Sequence, residues 1–244
     1  MDMDELDVSA LPPTFDSLIE DVFGLNVRGL KTLTQLFAGP KKVFDSARVA
    51  DWRSRYTPTL RLTFSIITVY MLLSFFWAAE DGAMYQTILA QLQEAAARNP
   101  DMPAPELVLE AYFAAFSVSY PFIYMIIHTL IGSLIWMWGS GTTWVTRIRL
   151  YFALLAVGMF FALLMVLGIP FISTEVYWLY SLVGMVVTLI AYAATYMRGM
   201  AGTYSTLGLT LRAIAISVII TIGDIVVAIS SGIGASVWIQ QFGP

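Results

Sequence analysis

This chain has no cysteine and a single histidine among its 244 residues, and only 12% of it is charged. The missing thiols exclude disulfides, thiolate nucleophiles, iron–sulfur clusters and cysteine zinc sites, and one imidazole excludes multi-histidine metal centres. A soluble domain carries about twice as much charge. Enzyme signatures are missing as well. There is no nucleophile with an adjoining base, no carboxylate pair and no phosphate loop. The GSGTT at Gly139–Thr143 lacks the following lysine and has no preceding strand. No catalytic residue, cofactor or metal site is expected, nor any nucleic-acid partner. The lone histidine could ligate a haem iron axially, but core packing explains it as well.

Hydrophobic length is what the chain has in place of charge. Five apolar runs stand at about 59–79, 111–138, 148–169, 176–197 and 209–238. Each can cross a hydrocarbon layer of about 30 Å as a helix rising about 1.5 Å per residue. Backbone in lipid must satisfy its own hydrogen bonds, so the runs are expected to be helices. The expected fold is all-α: a polytopic membrane protein with five transmembrane helices and N-terminal amphipathic cytoplasmic helices. Three segments are expected: a disordered acidic tail at 1–13, amphipathic interfacial helices at 14–56, and a five-helix membrane domain at 57–244 with an outer loop at 80–110.

The thirteen basic residues give the orientation. Arg28, Lys31, Lys41, Lys42, Arg48, Arg53, Arg55 and Arg61 precede or open the first run. Arg98 stands alone in the next loop, while Arg147, Arg149, Arg198 and Arg212 return to the first side. The N-terminus is therefore expected in the cytoplasm and the C-terminus outside, in the periplasm of a bacterial inner membrane. The opening MDMDELDVSALPP is acidic and does not read as a secretory leader.

Before the first run, Asp16 is a plausible cap for a helix burying Leu18, Ile19, Val22 and Phe23, and Val27, Leu30, Leu33 and Phe37 continue a helical period. Gly39–Pro40 breaks it, and a second helix follows. Lys31, Lys41, Lys42, Arg53 and Arg55 form a basic fringe suited to an anionic leaflet, though the same apolar face could pack under the bundle instead. In the outer loop, Met84 to Arg98 reads as a helix. Another from Glu106 towards Trp138 should kink at Pro121 or lie partly at the interface. Trp77, Trp136, Trp138, Trp144, Tyr177 and Trp178 read as interfacial anchors.

Small and hydroxyl residues mark helix seams in lipid. The fifth run offers Ala213, Ser217, Thr221, Asp224, Ala228, Ser231 and Ala235, with Ile216, Ile219, Ile220, Val226, Val227 and Ile233 on its opposite face. The fourth offers Ser181, Gly184, Thr188, Ala191 and Thr195, and the second Tyr124, His128 and Gly132. The third, FALLAVGMFFALLMVLG, has no polar side chain and is expected to face lipid. His128 and Asp224 lie near the midplane, where an unpaired carboxylate costs at least about 2.5 kcal/mol. They are a candidate intramembrane polar pair, supported by Tyr124, Gly132, Ser217, Thr221, Ser231 and Thr188. The pair could pin two helices together or relay a proton or cation. No repeat divides the chain into transporter-like halves.

GLKTLTQLFAGPKKVFDSARVADWRSRYTPTLRLTFSIITVYMLL, residues 29–73, resembles the entry of bacterial Yip-like multispan proteins: an amphipathic segment, a proline with an aromatic turn at Pro40 and Phe44, then the first span. Gly24–Asn26 and Tyr56–Pro58 match elements of a related bacterial group. The Asp-Leu-Tyr-Gly-Pro element of the eukaryotic trafficking members is absent. The resemblance implies an all-helical inner-membrane protein of non-enzymatic role. Membrane lipids are the expected partners, together with a membrane-protein companion or further copies of the chain. The role expected is organising such partners, as in an accessory subunit; the alternative is a small-solute, ion or proton channel using His128 and Asp224.

Overall fold

Each apolar run from the second to the fifth forms one long helix. A computed structural model of the chain describes residues 27–52, 55–73, 76, 78–99 and 102–242, leaving aside the side chains of 236 and 238–242. The tail at 1–13, the face built on Asp16, Leu18, Ile19, Val22 and Phe23, and Arg53 and Trp77 lie outside the described residues. Among the described residues eight α-helices run in order: α1 Val27–Ala38, α2 Pro40–Val49, α3 Thr59–Leu72, α4 Ala83–Arg98, α5 Pro105–Leu134, α6 Trp144–Gly168, α7 Thr174–Gly199 and α8 Thr206–Phe242. A 3-10 turn, Ile169–Phe171, extends α6. No strand occurs among the described residues.

Among the described residues four segments are long and apolar enough to cross a membrane: Pro105–Leu134, Trp144–Phe171, Thr174–Gly199 and Thr206–Ala235. The run expected at 59–79 forms a 14-residue helix, α3. At about 1.5 Å per residue it is about 21 Å long, short of a hydrocarbon core by itself. α5 continues through Pro121 as one helix and ends at Leu134, before the expected Trp138.

The helix that carries the polar-free run, α6, is the hub, which corrects the expectation that this run faces lipid. Every residue from Leu150 to Met159 is buried, and α6 packs against α1, α2, α3, α5 and α7. In lipid the tails are as apolar as leucine, so an all-apolar helix suits a bundle centre as well as its rim. Polar atoms reach its backbone instead, as the Thr59 and Thr63 hydroxyls of α3 donate to the Arg149 and Phe152 carbonyls at 2.7 and 3.1 Å. Most of α7, by contrast, is exposed. Gly184, Tyr192, Thr195, Tyr196 and Gly199 are buried, while Ser181 of the expected stripe faces out.

The buried side of α8 is also rotated from the expected stripe. Ile216, Ile220 and Val227, assigned to the far side, are fully buried beside Ala213, Ser217 and Ser231, and Ala228 is exposed. Close packing selects shape, so β-branched side chains fitting α5 occupy the seam alongside the small ones. On α1 the buried face is Gly29, Thr32, Leu33 and Leu36, whereas Val27 and Leu30 are 64% and 63% exposed.

One end of the bundle is held by arginines working as backbone donors. Arg198 bonds the Phe37 and Ala38 carbonyls where α1 ends, at 2.6 and 2.5 Å. Arg48 of α2 bonds the Trp138 carbonyl at 2.8 Å, and Arg147 the Thr142 carbonyl at 3.1 Å. These are carbonyls that helix ends and loops leave without partners. Trp138 is correspondingly fully buried, between Phe44 and Tyr196, and is no interfacial anchor. Trp136, Trp144 and Trp178 are exposed. α1 and α2 thus bury their apolar faces against α6 and α7, leaving Lys31, Lys41, Lys42 and Arg55 exposed; Lys41 pairs with Asp45 at 3.0 Å. At the other end α4 caps α5 and α7, with Tyr85, Leu109, Phe113, Val166 and Ile169 as a small second core.

Candidate functional site

The most extensive seam, α5 against α8, carries the two intramembrane ionisable residues. His128 is fully buried, and its ring lies where Gly223 of α8 leaves room; a Cβ on Gly223 would sit 2.9 Å from His128 Cε1. His128 Nε2 lies 3.2 Å from Asp224 Oδ1. The contact is off the direction of a hydrogen bond, so it is electrostatic rather than a formed bond. On its other side His128 Nδ1 meets the Tyr151 hydroxyl of α6 at 2.9 Å. A neutral imidazole fits both contacts, with Nε2–H towards Asp224 and Nδ1 accepting from Tyr151. The Tyr192 hydroxyl of α7 lines the same recess as the Asp224 carboxylate and lies near enough to interact with it electrostatically. The carboxylate thereby sits where α5, α7 and α8 meet, and the His128–Tyr151 contact adds α6.

Glycine sockets make these approaches possible. Gly132 accommodates the Tyr151 ring, whose Cδ1 would lie 2.9 Å from an added Cβ, and Gly158 accommodates Tyr192. The supporting residues all fall around this cluster. Tyr124 is fully buried with its ring 4.2 Å from the His128 ring, and its hydroxyl has no hydrogen-bond partner among the described residues. Ser217 and Thr221 turn their hydroxyls back to the Ala213 and Ser217 carbonyls, and Ser231 is buried on the same seam. Thr188 stands across from Thr221.

A ladder of rings leads from His128 towards the α4 end. Tyr112, Phe116, Tyr120, Tyr124 and His128 succeed one another with centroids 5.8, 5.0, 5.7 and 4.2 Å apart. Their strict four-residue spacing was visible in the sequence and was not used there. Phe116 has no hydroxyl, so the ladder is a packing column rather than a chain of proton donors.

Asp224 is not sealed like His128; its side chain is 34% exposed. It lies on the wall of a cleft of about 330 Å³ with α7 and α8 as rims, where Met185, Thr188, Thr221 and Ile225 stand, and Gly158 and Ala162 of α6 as floor. These residues are at mid-length of their helices, and Met185 and Ile225 are themselves exposed. The cleft therefore opens sideways from the bundle. The chain matches no protein-family model, no curated protein and no solved structure. What the site can do is therefore argued from its chemistry alone: a carboxylate acceptor, 3.2 Å from a buried imidazole of its own chain, on the wall of an apolar recess. Among the described residues no group of three or more His, Asp or Glu side chains is placed to hold a metal ion.

Proposed function

We propose that this chain is a non-enzymatic integral membrane protein that organises lipid or protein partners within the bilayer, as an accessory subunit of a larger inner-membrane complex or as a homo-oligomer. The observation behind this is the sideways opening of the Asp224 cleft at mid-span. A partner reaches such a recess through the lipid phase, as an acyl chain, an apolar small molecule or a neighbouring helix. The His128–Asp224 contact then acts as a clasp, completed by Tyr151 and Tyr192 within the chain. In this reading α3 and the residues after it make a fifth crossing, with the N-terminus cytoplasmic and the C-terminus periplasmic, as the distribution of arginine and lysine suggests. Kinship with the Yip-like group belongs to the same proposal; its motifs lie in residues 24–73 and the likeness extends loosely to residue 235.

The second reading is a small-solute, ion or proton conductor, favoured by the 3.2 Å approach of His128 to Asp224 at mid-depth. Purification from native membranes in mild detergent, with mass spectrometry of protein and lipid, separates the two. Stoichiometric co-purification of a companion supports the organising role. A solitary chain whose ion flux in liposomes depends on Asp224 overturns it in favour of the conductor.

A further inference from the structure

A second concavity lies near the arginine end, between the end of α5 and the beginning of α8. It is a groove of about 750 Å³ with Leu134 and Trp136 on one side and Leu211, Arg212, Ala215 and Ile219 on the other. Its size falls within the range of about 300–1,000 Å³ typical of small-molecule sites. These residues occupy the last turns of α5 and the first turns of α8, the depth at which acyl chains meet headgroups. Leu134 and Leu211 are exposed along the groove, and Trp136 is 77% exposed at its mouth.

Two guanidinium groups stand over this apolar channel. Arg212 lies against the Tyr204 ring at 4.0 Å and gives one N–H to the Gly208 carbonyl at 3.0 Å. Arg147 stacks on Trp136 at 3.7 Å and gives N–H groups to the Thr142 and Ser133 carbonyls at 3.1 and 3.4 Å. Neither arginine pairs with a carboxylate among the described residues, so no carboxylate among them compensates either charge. A stacked guanidinium still presents its edge N–H donors, in the fork geometry that matches phosphate oxygens.

We propose that this groove binds one anionic diacyl phospholipid, with an acyl chain between Leu134 and Ala215–Ile219 and the phosphate at Arg212, the positive charge of Arg147 beside Trp136 adding to the local potential. Charge selects the headgroup: a second cation on the lipid, as in a choline, would be repelled by the two arginines. The apolar wall selects a lipid over a free anion, which would leave Leu134, Leu211 and Ile219 uncovered. The groove is separate from the Asp224 cleft, so this proposal and the organising role can fail independently.

Native mass spectrometry of the full chain, titrated with phosphatidylglycerol and phosphatidylcholine of identical chains, tests it. An arginine near the surface favours an anionic lipid by about five-fold. The wild type should retain phosphatidylglycerol by at least that factor, Arg212→Gln should lower the preference about five-fold, and Ala215→Trp should displace both lipids by filling the groove. Equal retention of the two lipids by the wild type overturns the proposal, as does an undiminished preference in Arg212→Gln. Unchanged binding in Ala215→Trp removes the acyl chain from the groove, and displacement of the lipid by inorganic phosphate reduces the site to one for a free anion. If Arg212→Gln does not fold, the wild-type comparison and Ala215→Trp still decide.

Discussion

Replacing Gly158 by alanine sets three effects against one another at the centre of the bundle. A Cβ there would overlap the hydroxyl, Cζ and Cε1 of Tyr192, so the whole ring must move rather than a flexible tip. Alanine gains about 1 kcal/mol of helix propensity over glycine. Over-packing a filled core costs about 1–3 kcal/mol. Displacing Tyr192 also moves its hydroxyl relative to Asp224 across the cleft, and polar contacts between membrane helices average about 0.6 kcal/mol. Steric loss should win because both partners are buried and Tyr192 is itself pinned, giving a net destabilisation of about 1–2 kcal/mol. Reversible unfolding in mixed micelles measures it. Tyr192→Leu shortens the side chain, so the double variant should be less destabilised than the two single changes added together, with a coupling of about 1 kcal/mol. A neutral or stabilising Gly158→Ala, or strict additivity with Tyr192→Leu, would refute the argument that this socket closes the α6–α7 seam.

Asp224→Asn keeps an oxygen facing His128 and Tyr192 and should change stability by under about 1 kcal/mol, whereas Asp224→Leu strips both contacts and should cost about 1–3 kcal/mol in the same assay. Tyr151→Phe removes the partner of His128 Nδ1 and is expected to cost about 1 kcal/mol; no effect would mean the bond adds nothing. Arg198→Gln leaves the Phe37 and Ala38 carbonyls without their guanidinium, so amide exchange in α1 and α2 should accelerate about ten-fold while α5 and α8 stay protected. Gly202 has φ +82° and open space around it, so Gly202→Ala should cost about 1 kcal/mol through backbone alone and Gly202→Asn less; a calorimetric or micelle unfolding series shows the order.

Long apolar runs made α5, α6, α7 and α8 legible, because helix length in lipid is set by a single physical distance. Met84 to Arg98 was equally plain, bounded by turn residues at both ends. Which face of each helix turns inward was harder to read. The run from Phe152 to Gly168 in α6 carries no polar mark at all, yet the Leu150–Met159 stretch is the centre of the bundle. The small-residue rule failed there because α3 supplies hydroxyls, Thr59 and Thr63, to the α6 backbone, and α6's own Tyr151, just before the run, reaches His128. On α8 the rule came within a small rotation of the true seam, missing Ile216, Ile220 and Val227, whose branched shapes fit against α5. Trp138 was misplaced because its role depends on a loop folding back under Phe44 and Tyr196, a long-range event with no local signature. His128 and Asp224 were legible as a pair from shared depth. Their third and fourth partners were not, since Tyr151 and Tyr192 look like any tyrosine until the chain is folded.

These contacts describe a carboxylate held by its own chain and turned towards the membrane rather than along it. Arg48, Arg147 and Arg198 give N–H donors to backbone carbonyls and so hold loops and helix ends together at one end of the bundle. The aromatic ladder on α5 fills the space between His128 and the α4 end, and its Phe116 rung carries no exchangeable proton.

Proton and cation flux through proteoliposomes holding the purified chain, wild type beside Asp224→Asn, tests most directly whether the His128–Asp224 cluster is a clasp. The account predicts that both dissipate an imposed gradient no faster than empty vesicles. A wild-type flux well above that background, abolished by Asp224→Asn in a folded protein, would contradict it and make the cluster a relay.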